Sequence, residues 1–139
     1  MDRRIELALI FMDARCGHVL TVRTVAAECG LSVFYFEHLF RQETGSPFRQ
    51  CLRDIRLAKA KMLLSDPRLR IKEVADRCGY AWTPNLTQEF KRAFGLSPLQ
   101  YRRAVAQVVD RQMAPVGMSG SGTDLVTGWR RLNNSHLST

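Results

Sequence analysis

Through the first 113 residues, apolar positions recur at the spacing of helices. Between residues 4 and 15, Ile5, Leu9 and Met12, joined by Leu7 and Ala8, predict a supporting helix that ends at Gly17. Thr21 is placed to cap a helix over 22–29, which Gly30 closes by reaching the left-handed region. Ser32 caps the next, over 33–44, and Gly45 ends it. There Phe36, Leu39, Phe40 and Glu43 follow i, i+3, i+4, i+7, leaving Phe34, Glu37, His38 and Arg41 to face outward. Ser46-Pro47 opens a longer helix with Phe48, Cys51, Leu52, Ile55, Ala58 and Met62 as its inner stripe. Asp66-Pro67 stops it, because the residue before proline avoids helical angles. At ~1.5 Å per residue this helix is a rod of roughly 27 Å.

A short helix over 71–78 and a turn at Gly79 follow. Thr83 as N-cap and Pro84 at the first helical position then predict a helix from 84 to 94, stopped by Gly95. Leu86 and Phe90 are its core positions, while Asn85, Gln88, Glu89, Lys91 and Arg92 remain for solvent or a ligand. Ser97-Pro98-Leu99-Gln100 combines an N-cap, a leading proline and a capping-box glutamine, and opens a last helix running to about residue 113. The remainder, 114–139, is Gly/Ser-rich and without periodicity; it predicts a disordered tail in which Trp129 stands out.

The second helical stretch repeats the first. At an offset of 49, Val25, Ala26, Cys29 and Gly30 meet Val74, Ala75, Cys78 and Gly79. After the glycine the offset becomes 50, so that Phe40-Arg41 meets Phe90-Lys91 and Gly45 meets Gly95. One extra residue therefore sits in the turn of the second copy, in Tyr80-Ala81-Trp82-Thr83. The pattern is two helix-turn-helix units in tandem, and it predicts an all-α fold. The first subdomain with the connecting helix spans 1–66 and the second 67–113.

Charge narrows the partner. Residues 1–104 hold 18 Lys/Arg against 11 Asp/Glu, so nearly all of the net +8 belongs to the repeated region. With a sequence pI near 9.9, that points to a polyanion. No apolar run approaches the roughly 18 residues of a membrane span, and early charges at Asp2, Arg3, Arg4 and Glu6 break any signal-peptide core. The expected location is the cytoplasm, at the nucleoid. Cys16, Cys29, Cys51 and Cys78 show no zinc-ligand spacing, and small buried thiols are the expectation. Neither a metal nor a cofactor is expected.

The stretches GLSVFYFEHLFRQETG, RLAKAKMLL and IKEVADRCGY…FKRAFGLSPLQYRR resemble the DNA-binding domain of the AraC/XylS family of bacterial transcription regulators, over roughly residues 5–106. Its most specific part here is Gly79, Tyr80, Phe90, Lys91, Phe94, Gly95, Ser97, Pro98, Tyr101 and Arg102. The resemblance implies seven helices, with two recognition helices that enter successive major-groove segments on one face of double-stranded DNA. Adjacent major-groove faces lie about 34 Å apart. A rod of ~27 Å plus its flanking elements spans that distance, so one chain is expected to read two half-sites as a monomer.

Family positions that meet base edges fall on Phe34, Glu37 and His38, and on Pro84, Asn85 and Gln88. Asn and Gln pair bidentately with adenine, and Glu accepts from cytosine. Phe34 is suited to a thymine methyl or, alternatively, to the core. Ser32, Tyr35, Arg41, Thr83, Lys91, Arg92 and Arg102 are the candidates for phosphates, which give affinity without sequence information. The bland alternative for each is a solvated helix face.

A transcription regulator, and by family an activator acting beside RNA polymerase, is the leading expectation. With about 20 residues ahead of the first unit, the chain reads as a short form without an effector domain, or else as a piece of a longer regulator. An enzymatic alternative, a methyl-accepting DNA-alkylation sensor, needs an activated thiolate that the scattered cysteines do not supply. His18, His38 and His136 are equally scattered, and no phosphate-binding glycine loop occurs. A protein-interaction module that modulates another regulator or RNA polymerase is the remaining alternative.

Overall fold

The computed structural model describes residues 1–112, and they form seven helices in the order α1 (Arg3–Arg15), α2 (Val22–Glu28), α3 (Val33–Thr44), α4 (Phe48–Leu63), α5 (Ile71–Arg77), α6 (Thr83–Phe94) and α7 (Pro98–Gln112). The fold is all-α, as the periodicity predicts. The expectation of a disordered tail concerns residues outside those described. The described residues divide into two compact units, the first from residues 1–16 and 20–55, the second from 17–19 and 56–112. The division falls inside α4.

In the first unit Ile5, Ala8, Leu9 and Met12 of α1 pack with Val25, Ala26, Phe36, Leu39, Phe40 and the start of α4. Phe36, Phe40 and Phe48 form an aromatic triad with centroids 5.4–6.1 Å apart. Leu7 is exposed rather than part of that stripe, because Ile5, Ala8, Leu9 and Met12 already define the buried face. In the second unit Leu57, Ala60 and Leu64 join Val74, Ala75, Cys78, Tyr80, Leu86 and Phe90. Phe90 stacks edge-on with Phe94 at 4.7 Å and with Tyr101 at 5.6 Å. Lys61 lays its ammonium over the Phe94 and Tyr101 rings, at 5.0 and 5.7 Å.

One stripe was expected along α4, and the structure corrects it. Phe48, Cys51, Leu52 and Ile55 are buried as expected, but the pattern then steps to Leu57, Ala60 and Leu64. Ala58 is half-buried and Met62 is 66% exposed. The helix serves two cores in turn, so a single i, i+3, i+4 series cannot describe it.

The two helix-turn-helix turns close alike. At the end of α2 the Gly30 N–H donates to Ala27 O and the Leu31 N–H to Ala26 O. At the end of α5 the Gly79 N–H donates to Asp76 O and the Tyr80 N–H to Ala75 O. This is the Schellman pattern, and it requires a left-handed residue; Gly30 has φ +70° and Gly79 φ +85°. Gly17 is needed for a different reason. A Cβ there would lie 2.5 Å from the Arg77 carbonyl oxygen, so the chain passes that helix end only as glycine.

Candidate nucleic-acid interface

The head of α3 is built as the sequence predicts. Ser32 is the N-cap, and its Oγ accepts from the Tyr35 N–H at 3.3 Å. With Phe36, Leu39 and Phe40 turned into the core, the opposite face presents Phe34, Glu37, His38 and Arg41 at i, i+3, i+4, i+7. Phe34 is 85% exposed, which removes its alternative as a core residue. None of the side chains of Glu37, His38 and Arg41 has a polar partner among the described residues. Tyr35 is half-exposed beneath the Arg4 guanidinium, which sits 5.6 Å from its ring centroid. Asp2 holds Arg4 in turn through paired bonds of 3.2 and 3.1 Å. Those bonds, then Tyr35, push the Arg4 pKa up, so its charge is permanent. Arg4 thus adds a cation beside the head of α3. Sequence reading missed it, because no local pattern links residue 4 to residue 35.

The head of α6 differs. The helix begins one residue earlier than expected, with Trp82 as N-cap in extended conformation and no side-chain cap bond. Thr83 is therefore the first helical residue and not the cap, and Pro84 the second. The cause is a turn closed by the backbone, with the Asn85 N–H donating to the Trp82 carbonyl at 3.0 Å. Pro84, Asn85, Gln88, Lys91 and Arg92 are exposed, and Thr83 is half-buried. The side chains of Asn85, Gln88, Lys91 and Arg92 have no polar partner among the described residues.

Two residues leave the solvent face assigned to them. Glu89 accepts a short hydrogen bond from the Tyr80 hydroxyl, tying α6 to the turn after α5. Tyr80 is 8% exposed; burial, followed by that bond, pushes its phenol far above the ordinary range, so it stays protonated. Arg102 is half-buried, and its guanidinium donates to the Leu64 carbonyl at 3.1 Å and the Asp66 carbonyl at 3.2 Å. The Leu64 carbonyl lies just past the end of α4, and the Asp66 carbonyl belongs to the turn that follows and also accepts from the Leu69 N–H. Through these bonds Arg102 ties α7 to the chain at the end of α4.

The cysteines also separate. Cys16, Cys51 and Cys78 are buried, and burial raises the Cys51 thiol out of reach of neutral pH. Cys29 is only partly buried, and its thiol donates to the Arg4 carbonyl at 3.4 Å. Among the described residues no group of three or more His, Cys, Asp or Glu side chains is placed to hold a metal ion. No helix there is long and apolar enough to cross a membrane.

Two exposed polar helices, each held by a helical core and a glycine-closed turn, define a tandem helix-turn-helix protein. A family model described as a helix-turn-helix domain matches residues 25–104, and the chain belongs to this AraC/XylS family. It is 32% identical over 106 residues, 76% of its length, to an uncharacterized HTH-type transcriptional regulator, YijO, of Escherichia coli K12. Over 67 residues, 48% of its length, it is 40% identical to the HTH-type transcriptional activator RhaR of Yersinia pseudotuberculosis. It spans 38% and 23% of those proteins. Among solved structures, the DNA-binding domain of AdpA, determined in complex with a target DNA, matches 84% of this chain and all of that one, at a TM-score of 0.70 and 30% identity. The C-terminal domain of AraT, a response regulator from Geobacillus stearothermophilus, matches 74% of this chain and 86% of that one, at 0.70 and 34%.

Proposed function

We propose that this chain is a sequence-specific reader of duplex DNA that regulates transcription, with α3 and α6 as its recognition helices. The observation that carries the reading is the matched pair of exposed, unpartnered polar faces. Each stands on the second helix of a glycine-closed pair, where helix-turn-helix proteins place the helix that enters the major groove. A relative 30% identical to this chain was solved on its target DNA, which supports the same partner here.

In this reading Asn85 and Gln88 pair with adenine edges, Glu37 accepts from cytosine, and His38 and Phe34 touch neighbouring bases, Phe34 through a thymine methyl. Pro84 has no donor and adds only apolar contact. Arg41, Lys91, Arg92, Tyr35, Ser32 and Thr83 hold phosphates and set the register. The chain binds two successive major-groove segments as a monomer, in the cytoplasm, and its work is binding rather than catalysis. Resemblance to an activator supports activation through contact with RNA polymerase.

The test is selection of bound sequences from a random duplex pool with the purified chain at near-physiological salt. Two short elements about one helical turn apart are expected. A single element would leave one reading helix, and no enrichment would overturn the proposal. Transcription from the selected site with purified bacterial RNA polymerase then tests activation, read as more transcript with the chain than without.

A further inference from the structure

Resting on that reading, we infer that Trp82 is a DNA-contacting residue. Its indole lies against a deoxyribose on the strand that walls the groove, and its Nε1–H donates to the adjoining phosphate.

The argument begins with what Trp82 does not do for the protein. At the head of α3, Ser32 caps the helix through its side chain; at the head of α6, the side chain of Trp82 caps nothing. Helix N-termini favour Ser, Thr, Asp or Asn at this position because an oxygen there satisfies an open N–H, and an indole has none. The missing cap is tolerated because Pro84 removes one of the open donors. Nor is Trp82 part of a core. It is 64% exposed, and among the described residues its side chain makes no hydrogen bond and no ring contact.

Its position gives it a partner. A recognition helix points its first residues at base edges, so the residue immediately ahead of the helix stands at the groove wall, where the sugar–phosphate strand passes. The backbone of Trp82 is extended, φ −129° and ψ 115°, so the residue stands outside the helix, ahead of Asn85 and Gln88. An indole suits that wall, with a flat apolar face for the sugar and one N–H donor for a phosphate oxygen. Such a contact adds affinity without reading sequence.

The substitution that restores the cap, Trp82→Ser, separates contact from structure. It is expected to keep or raise thermal stability while lowering affinity about tenfold, on selected and scrambled duplexes alike. Trp82→Phe, which keeps the apolar face, should fall between. In the Trp129→Phe chain, Trp82 is the sole tryptophan of the two in the sequence, and acrylamide should quench its fluorescence freely until duplex is added. Unchanged affinity in Trp82→Ser, or full quenching of Trp82 in the complex, would overturn the inference while the proposed DNA function stands. Failure of the unaltered chain to bind any duplex would overturn that function, and the inference with it.

Discussion

The helices α3 and α6 are copies of one element finished in two ways. Both run twelve residues and end on a left-handed glycine whose N–H returns to the carbonyl four residues back, Gly45 to Arg41 and Gly95 to Lys91, each at 2.8 Å. Both bury an aromatic at the same repeat position, Phe40 and Phe90. Their heads share nothing. Serine caps α3, and Phe34 and Tyr35 sit in its first turn; α6 starts from an uncapped tryptophan and a proline. Cores and stops answer to packing and are copied, whereas the heads face outward and are free to diverge.

The largest effect tests the copied part. Phe40 and Phe90 are fully buried, and each touches two further rings. Phe40→Ala and Phe90→Ala should each cost about 3–5 kcal/mol in urea unfolding. A loss below ~1 kcal/mol in either would mean that the two cores are not equivalent.

Gly17→Ala breaks the symmetry from the other side, since the repeat offers Gly17 no glycine counterpart. The added Cβ meets backbone, not a side chain that can rotate away, so a loss of about 1–3 kcal/mol is expected. Thermal unfolding unchanged from the parent chain would show that the Arg77 end of α5 yields.

The heads are compared through DNA. Gln88→Ala should cost about 1–3 kcal/mol on the selected site and relax one base position, while Arg92→Ala weakens every sequence alike and flattens the salt dependence by ~0.9 in log–log slope. Equal losses for Gln88→Ala on selected and scrambled duplexes would remove it from base reading. Ser32→Ala, which deletes the cap that α6 lacks, should cost about 1 kcal/mol of stability.

What could be read in the chain beforehand follows the same division. Thr21 and Ser32 as caps, the left-handed Gly30, Gly45, Gly79 and Gly95, the buried phenylalanines and the Ser97–Gln100 capping box are local signals, and each is where it was expected. In that box Gln100 accepts from the Ser97 N–H at 2.9 Å, and Ser97 Oγ accepts from the Gln100 N–H at 3.2 Å. The misreadings have tertiary causes. Arg102 bonds carbonyls 36 and 38 residues away, and Arg4 reaches Tyr35 from another helix. Met62 is exposed because α4 changes cores, and Thr83 lost the cap to a backbone-closed turn. Cys29 and Cys78 match in sequence yet differ in burial, since only the second is enclosed.

The smallest expected effect concerns a device both units share. In the first, Asp2 accepts from the Arg4 N–H and pairs with its guanidinium; in the second, Asp66 does the same with Arg68 two residues on. The side-chain bond to the arginine, then the backbone N–H, holds each carboxyl below its ordinary value of 3.8. Because the folded pKa is depressed, each pair stabilises the fold at pH above the ordinary value, and that contribution is lost as pH falls through the folded value. Both carboxylates are partly exposed, so salt should shrink the effect. Asp2→Asn and Asp66→Asn are each expected to flatten the decline of melting temperature below about pH 4. The two should do so to a similar degree, since the same backbone and guanidinium bonds from the arginine two residues on recur in each. An acid limb unchanged in both variants would place acid sensitivity elsewhere. A change in only one would show that, for this device, the units are not equivalent after all.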